Sequence, residues 1–124
     1  MKTFCFQTTN KQLNWEDSKQ ECKSRGAHLV EAVTREDVTT LMDYIKEDIK
    51  HDVWLGLTDK VEKGKFVWNY SRTDFDESLS IFKPAKNPRG SDCVKTTRNN
   101  RNHWDVLTCL ARYDAICQLS KSVA

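Results

Sequence analysis

Apolar residues along this chain change their period near residue 50. Over residues 34–49, "TREDVTTLMDYIKEDI", Val38, Leu41, Met42, Ile45 and Ile49 recur three and four apart, which predicts one buried face of a helix. Thr34 is placed to cap it, and Asp37, three residues on, completes a reciprocal capping box. A shorter helix is predicted at "NWEDSKQECKSRG", with Asn14 as cap, Asp17 at the third helical position and Gly26 as the stop. Beyond residue 50 the runs "DVWLGL", "GKFVWN", "DCVKTT" and "DAICQL" are short, rich in β-branched and aromatic residues and divided by Gly, Asn and Asp, so they predict strands. Between Asn69 and Asp92 neither period persists, and Pro84 and Pro88 disfavour both states. That stretch reads as a loop of more than 20 residues. In a compact domain such a loop is functional or tied down covalently. Helices first and strands afterwards make the fold class α+β.

With 124 residues the chain is expected to form a single domain, 1–124, with no internal repeat, linker or low-complexity tract. Charged residues are 31% against 38% hydrophobic, and twelve aromatics supply large core-filling groups, so a disordered chain is excluded. No apolar run approaches the ~20 residues of a membrane helix. The opening "MKTFCFQ" lacks the apolar segment of a secretory leader. The chain is therefore expected to be a piece of a longer secreted or membrane-anchored protein. Five cysteines without a Cys-x-x-Cys pair argue against a zinc ribbon or a thioredoxin-like redox site and for disulfides, hence for an oxidising, extracellular setting. Cysteine arithmetic alone leaves about 15 ways of forming two bridges from five cysteines.

The order helix, helix, "WLGL" strand, long irregular segment and a closing Cys, Trp, Cys, Cys set resembles the C-type lectin-like domain. The markers are Cys22 in the first helix, Trp54-Leu55-Gly56-Leu57, Asp92-Cys93, Trp104 five residues before Cys109, and Cys117. The resemblance runs from Cys5 to Cys117 and implies a C-type lectin-like fold: two helices flanking small antiparallel sheets, with bridges Cys22 to Cys117 and Cys93 to Cys109. Cys5 is similar to the family's extra N-terminal cysteine, whose partner would lie upstream. It is expected to be unpaired within this chain and available to link a second copy as a homodimer.

Sugar-binding members of that family hold calcium with Glu-Pro-Asn or Gln-Pro-Asp in the long loop, a Glu shortly before the cysteine that matches Cys93, and Asn-Asp after the tryptophan. Calcium takes 6 to 8 oxygens. Counted back from Cys93, Lys83-Pro84-Ala85 stands in the first slot, Ser91 in the Glu position and Asp105-Val106 in place of Asn-Asp. A register shifted by one gap puts Ala85-Lys86-Asn87 in the first slot and still loses the acid and the proline. At the auxiliary calcium site Asp59 and Asp92 match, whereas Lys63, Lys86 and Ser91 do not. An ammonium group offers no lone pair and repels a divalent cation. No metal and no cofactor is expected.

What stands in place of the ligands is basic. From Lys83 to His103 the cations Lys83, Lys86, Arg89, Lys95, Arg98 and Arg101 face Asp92 alone, a net +5 in a chain whose total is +2. A basic run can be no more than a solvated face. As a site it suits an acidic protein or a sulfated or sialylated glycan, because clustered charge steers anions and Arg forks match sulfate and carboxylate. Nucleic acid would fit the charge but not an extracellular disulfide domain. His28, His51 and His103 share no metal-ligand spacing and form no motif with the serines, so an enzyme is not expected. Asn69-Tyr70-Ser71 is a glycosylation sequon. The function expected is calcium-independent extracellular recognition of a protein ligand or an anionic glycan through the long-loop face. The alternatives are a calcium-dependent lectin with non-standard ligands and a matrix or ice-contacting module.

Overall fold

The structure, a computed structural model, describes residues 2–49, 51–79, 92–96 and 104–122. Both helices form where the apolar periods place them. The first, α1 (Trp15–Ser24), starts because the Asn14 side chain accepts the Asp17 N–H at 2.8 Å. It stops at Gly26, whose φ of 72° lets the N–H groups of Gly26 and Ala27 fold back onto the Lys23 and Cys22 carbonyls. The second, α2 (Arg35–Asp48), opens with the full box: Thr34 accepts from Asp37, and the Asp37 carboxylate accepts from Thr34 and Val33. Its apolar face lies on the core, Leu41 fully and Val38, Met42 and Ile45 in part. Ile49 is buried too, but as an extended residue just past the helix end.

The strands are β1 (Lys2–Thr8), β2 (His28–Leu29), β3 (Val53–Glu62), β4 (Lys65–Trp68), β5 (Thr73–Asp74), β6 (Asp92–Thr96), β7 (Trp104–Thr108) and β8 (Asp114–Ser122). They join in the order β1-β8-β3-β4-β5, with β2 added to β8, and β6 paired with β3 and with β7. All pairs are antiparallel except β3 with β8, which meet in parallel at Val53 opposite Asp114 and Trp54 opposite Ala115. Four of these strands, β1, β2, β5 and β7, carry too little apolar alternation to be read from sequence. They exist because a neighbour offers a ladder: β1 pairs along its whole length with β8, and β7 with β6. The stretch after Asn69 is also more ordered than its composition predicts: β5 pairs with β4, Phe75 is buried, and a short 3-10 turn spans Glu77–Leu79. Residues 80–91, the rest of the expected long loop, lie outside the described residues.

The "WLGL" run is the centre of the molecule, and its alternation explains the two halves of the core. Val53, Leu55 and Leu57 face one cluster, with Val30, Leu41, Phe66, Trp68, Trp104 and Ile116. Trp54 faces the other, with Trp15, Leu29 and Ala115. Gly56 is required here, because a Cβ would stand 3.0 Å and 3.1 Å from the Leu29 and Val30 carbonyl oxygens. That close approach lets the Gly56 N–H donate to the Val30 carbonyl at 2.8 Å. Both indoles in the second cluster are satisfied across the core, Trp15 Nε1 donating to Leu55 and Trp54 Nε1 to Leu13.

Cys22 and Cys117 are bonded, as are Cys93 and Cys109, closing 95 and 16 residues of chain. The first bridge ties α1 to β8. The second ties the start of β6 to the residue after β7. Cys5, exposed on β1, has no disulfide partner. No helix among the described residues is long and apolar enough to cross a membrane.

Candidate functional site

Of the positions that the family resemblance assigns to calcium, the described ones, Asp59, Lys63, Asp92, Asp105 and Val106, lie on or beside β3, β6 and β7, which run side by side. Three acids are retained there, Asp59, Asp92 and Asp105, and none has the same surroundings as another. Asp59 is buried, and its two oxygens are spent on the backbone. Oδ1 accepts the Asp92 N–H at 2.6 Å and Oδ2 accepts the Gly64 N–H at 3.0 Å, so one carboxylate closes the β3–β4 turn and fixes the entry to β6. Beside it Thr58 donates to the Asp92 carbonyl at 2.7 Å. Asp92 is buried with its backbone thus clamped on both sides. Lys63, in the β3–β4 turn, is exposed.

Asp105 is the acid that stands first after the tryptophan. Directly across the β6–β7 ladder from it is Lys95, and the Lys95 ammonium lies 3.5 Å from the Asp105 carboxylate and 2.6 Å from that of Asp52. Lys95 also sits 5.1 Å over the Tyr113 ring. It is therefore no part of an exposed basic surface: its side chain is only 7% exposed, and its charge is met by two carboxylates. This corrects the count made from sequence. The reason is geometric, since every residue of β6 is buried, and a lysine there must turn its ammonium to internal partners. Asp92, the opposing acid, is buried as well, so both leave the tally together.

Val106, in the slot after Asp105, is half-buried and packed against the first core cluster, an apolar role. Trp104 is buried against Trp68 in an edge-to-face pair with centroids 5.9 Å apart. The remaining positions singled out from sequence, Lys83, Ala85, Lys86, Arg89, Ser91, Arg98 and Arg101, lie outside the described residues. Asp74, Asp76 and Glu77 form a short acidic run after β4, and its two aspartates are locally engaged. Asp74 lies 3.8 Å from Lys65, and Asp76 accepts from the hydroxyl and N–H of Ser78, which holds its carboxyl below the usual carboxylate range.

Of the three histidines, His103 lies outside the described residues. His51 pairs with Asp114 at the start of β8, and His28 stacks on Tyr70 with centroids 3.8 Å apart. Among the described residues, neither makes a hydrogen bond to a serine hydroxyl. Sequence reasoning missed the Lys95, Asp52 and Asp105 cluster. No signal in charge or spacing would have found it: alternation puts Lys95 on the face of Cys93 and Val94 on the other, and pairing with β3 and β7 decides what is covered.

The C-type lectin domain family model, described as "Lectin C-type domain", matches residues 11–119. The chain belongs to the C-type lectin domain family. It is 31% identical over 122 residues to mouse C-type lectin domain family 4 member E, covering 94% of this chain and 54% of that protein. Thus it spans about half the length of that relative. It is 28% identical over 120 residues to a C-type lectin mannose-binding isoform of Oxyuranus scutellatus, covering 93% of this chain and 76% of that one. Among solved structures, a C-type lectin from the tunicate Polyandrocarpa misakiensis superposes with a TM-score of 0.76 at 20% identity, over 98% of this chain and all of that one. The fold is that of the family, α+β with two helices and two disulfides, and the chain is a recognition module of that type.

Proposed function

We propose that this C-type lectin domain works outside the cell as a calcium-independent, non-enzymatic recognition module, binding an acidic protein surface or an anionic glycan through the long-loop face. One observation carries the reading: the acid left in the tryptophan-adjacent calcium slot, Asp105, is paired with the internal ammonium of Lys95. A calcium ion at Asp105 would have to share that carboxylate with a fixed positive charge a few ångströms away, with too few neutral or acidic oxygens nearby to replace its water. Val106 and Asp59 support it, the one packed in the core and the other committed to two backbone N–H groups. With Lys95 removed from the tally, the five cations Lys83, Lys86, Arg89, Arg98 and Arg101 remain in the loop sequence, and Asp92 no longer offsets them at the surface. Each exposed charge contributes on the order of 1 kcal/mol or less, but several acting on one polyanion add up and weaken with salt.

The test compares three proteins on a heparin-like resin, each with calcium and with chelator: the chain itself, a Lys83→Glu/Lys86→Glu/Arg89→Glu variant, and a Lys23→Glu/Lys46→Glu control that reverses two exposed helix lysines. The expected result is retention of the chain and the control, loss of retention by the triple variant, and no response to chelation. Equal elution of all three would reduce the basic loop to a solvated face. A rise in melting temperature of several degrees in millimolar calcium, reversed by chelator, would make the protein a calcium-dependent lectin with non-standard ligands.

A further inference from the structure

We propose that Asn69 is a site of N-linked glycosylation, on a turn at the opposite edge of β3 from the long-loop base. Asn69-Tyr70-Ser71 is the chain's sole Asn-x-Ser/Thr tripeptide, and its middle residue is not proline. The tripeptide falls in the turn between β4 and β5, which is tightened by the Arg72 N–H donating to the Trp68 carbonyl at 2.8 Å and by a positive φ of 61° at Arg72. Tyr70 and Ser71 are exposed, and their N–H groups both donate to the Glu31 carboxylate. The backbone of Asn69 is fixed by its N–H to the Gly56 carbonyl at 2.8 Å. Asn69 is partly exposed, and its side-chain amide makes no hydrogen bond among the described residues, so attaching a sugar breaks nothing that holds the fold.

The chemistry is a group transfer without change of oxidation state. The Asn69 amide nitrogen bonds to the anomeric carbon of an oligosaccharide carried on a lipid pyrophosphate. The bond from that carbon to the pyrophosphate oxygen breaks, the amide loses a proton, and the lipid pyrophosphate departs. The transferase and this donor belong to the secretory pathway, the oxidising compartment in which the two disulfides of this chain form. Because transfer accompanies folding, the folded state has to leave room for the product, and an exposed turn does so. β4 and β6 pair with opposite edges of β3, so an oligosaccharide on Asn69 would cover the Tyr70 and His28 stack and leave the base of the long loop uncovered.

The experiment secretes the chain from a eukaryotic host behind an added leader and measures intact mass before and after peptide N-glycosidase. The secreted chain is expected to carry one heterogeneous glycan that the enzyme removes, leaving aspartate at position 69. Asn69→Gln and Ser71→Ala should appear at their sequence masses, and Ser71→Thr should keep the glycan. A secreted parent at its sequence mass overturns the proposal, and so does a glycan that persists in Asn69→Gln. If either variant fails to be secreted, the aspartate left at position 69 of the parent decides the matter alone.

Discussion

The region around α1 and the region along β6 are held together by different physics, although both disulfides reach the same apolar cluster with Trp15 and Trp54. Around Cys22 and Cys117 the structure is a conventional packed core. α1 lies on β8 and β2 over the Trp15 and Trp54 indoles, and Arg25 ties the end of α1 to the Thr8 and Thr9 carbonyls at the end of β1. Along β6 and the end of β3 beside it, five buried residues are polar or charged: Thr58, Asp59, Asp92, Lys95 and Thr96 are all enclosed. Asp59, at a position the resemblance assigns to an ion, here holds the backbone at the entry of β6, and Lys95 pairs with the Asp105 carboxylate across the ladder between β6 and β7. A carboxylate that closes a turn holds the backbone without needing a metal, and an internal ammonium neutralises an acid set beside it.

The largest effects should come from the bridges and should differ between the regions. On the chain-entropy model, removing Cys22 to Cys117 by a double Ala substitution costs about 4.5 kcal/mol, and removing Cys93 to Cys109 costs about 3 kcal/mol. Denaturant unfolding of the two variants would check the order. The long bridge should lower the midpoint for the whole chain, whereas loss of the short one should also speed hydrogen exchange locally at β6 and β7. Equal losses with no local signature would erase the distinction between the regions.

A sharper probe of the polar region is Asp59→Ala, which strands the N–H groups of Asp92 and Gly64. At ~1–3 kcal/mol for each buried unmet donor, discounted for water entering at the turn, the loss is about 3 kcal/mol. It should be unchanged by calcium, and exchange of the Asp92 amide should rise more than that of Trp54 or Leu55. A loss that appeared only when calcium was present would return Asp59 to the role of a metal ligand.

Smaller again is Lys95→Met. Breaking a fully buried pair costs roughly 3–5 kcal/mol, but Asp52 and Asp105 are 26% and 55% exposed and can be rehydrated, so about 2 kcal/mol is expected. The informative readout is calcium: with the competing ammonium gone, the Met variant should gain a weak calcium-dependent rise in melting temperature that the parent lacks. A parent and a variant alike in calcium would mean that the missing loop oxygens, rather than Lys95, decide metal binding.

Both helices and their caps were legible in the sequence because they depend on neighbours three or four residues away, as in Thr34 with Asp37, and the central strand because its run of β-branched and aromatic residues is bounded by turn formers. The family was legible because Cys, Trp and Gly stand at spacings that few other arrangements share, and Gly56 shows why one of them is needed: two carbonyl oxygens occupy the space of a side chain. What tertiary structure alone decided was the part made by distant partners. β1 exists only against β8, more than a hundred residues away along the chain. Lys95 looked like one of six exposed cations, since charge and spacing do not reveal which side of a strand is covered. Pairing across β6 and β7 set it beside Asp105, and packing against β3 took it out of water. Burial and cross-strand register are collective properties of the folded chain, and they determined which acids remained available at the loop base and which had become part of the frame.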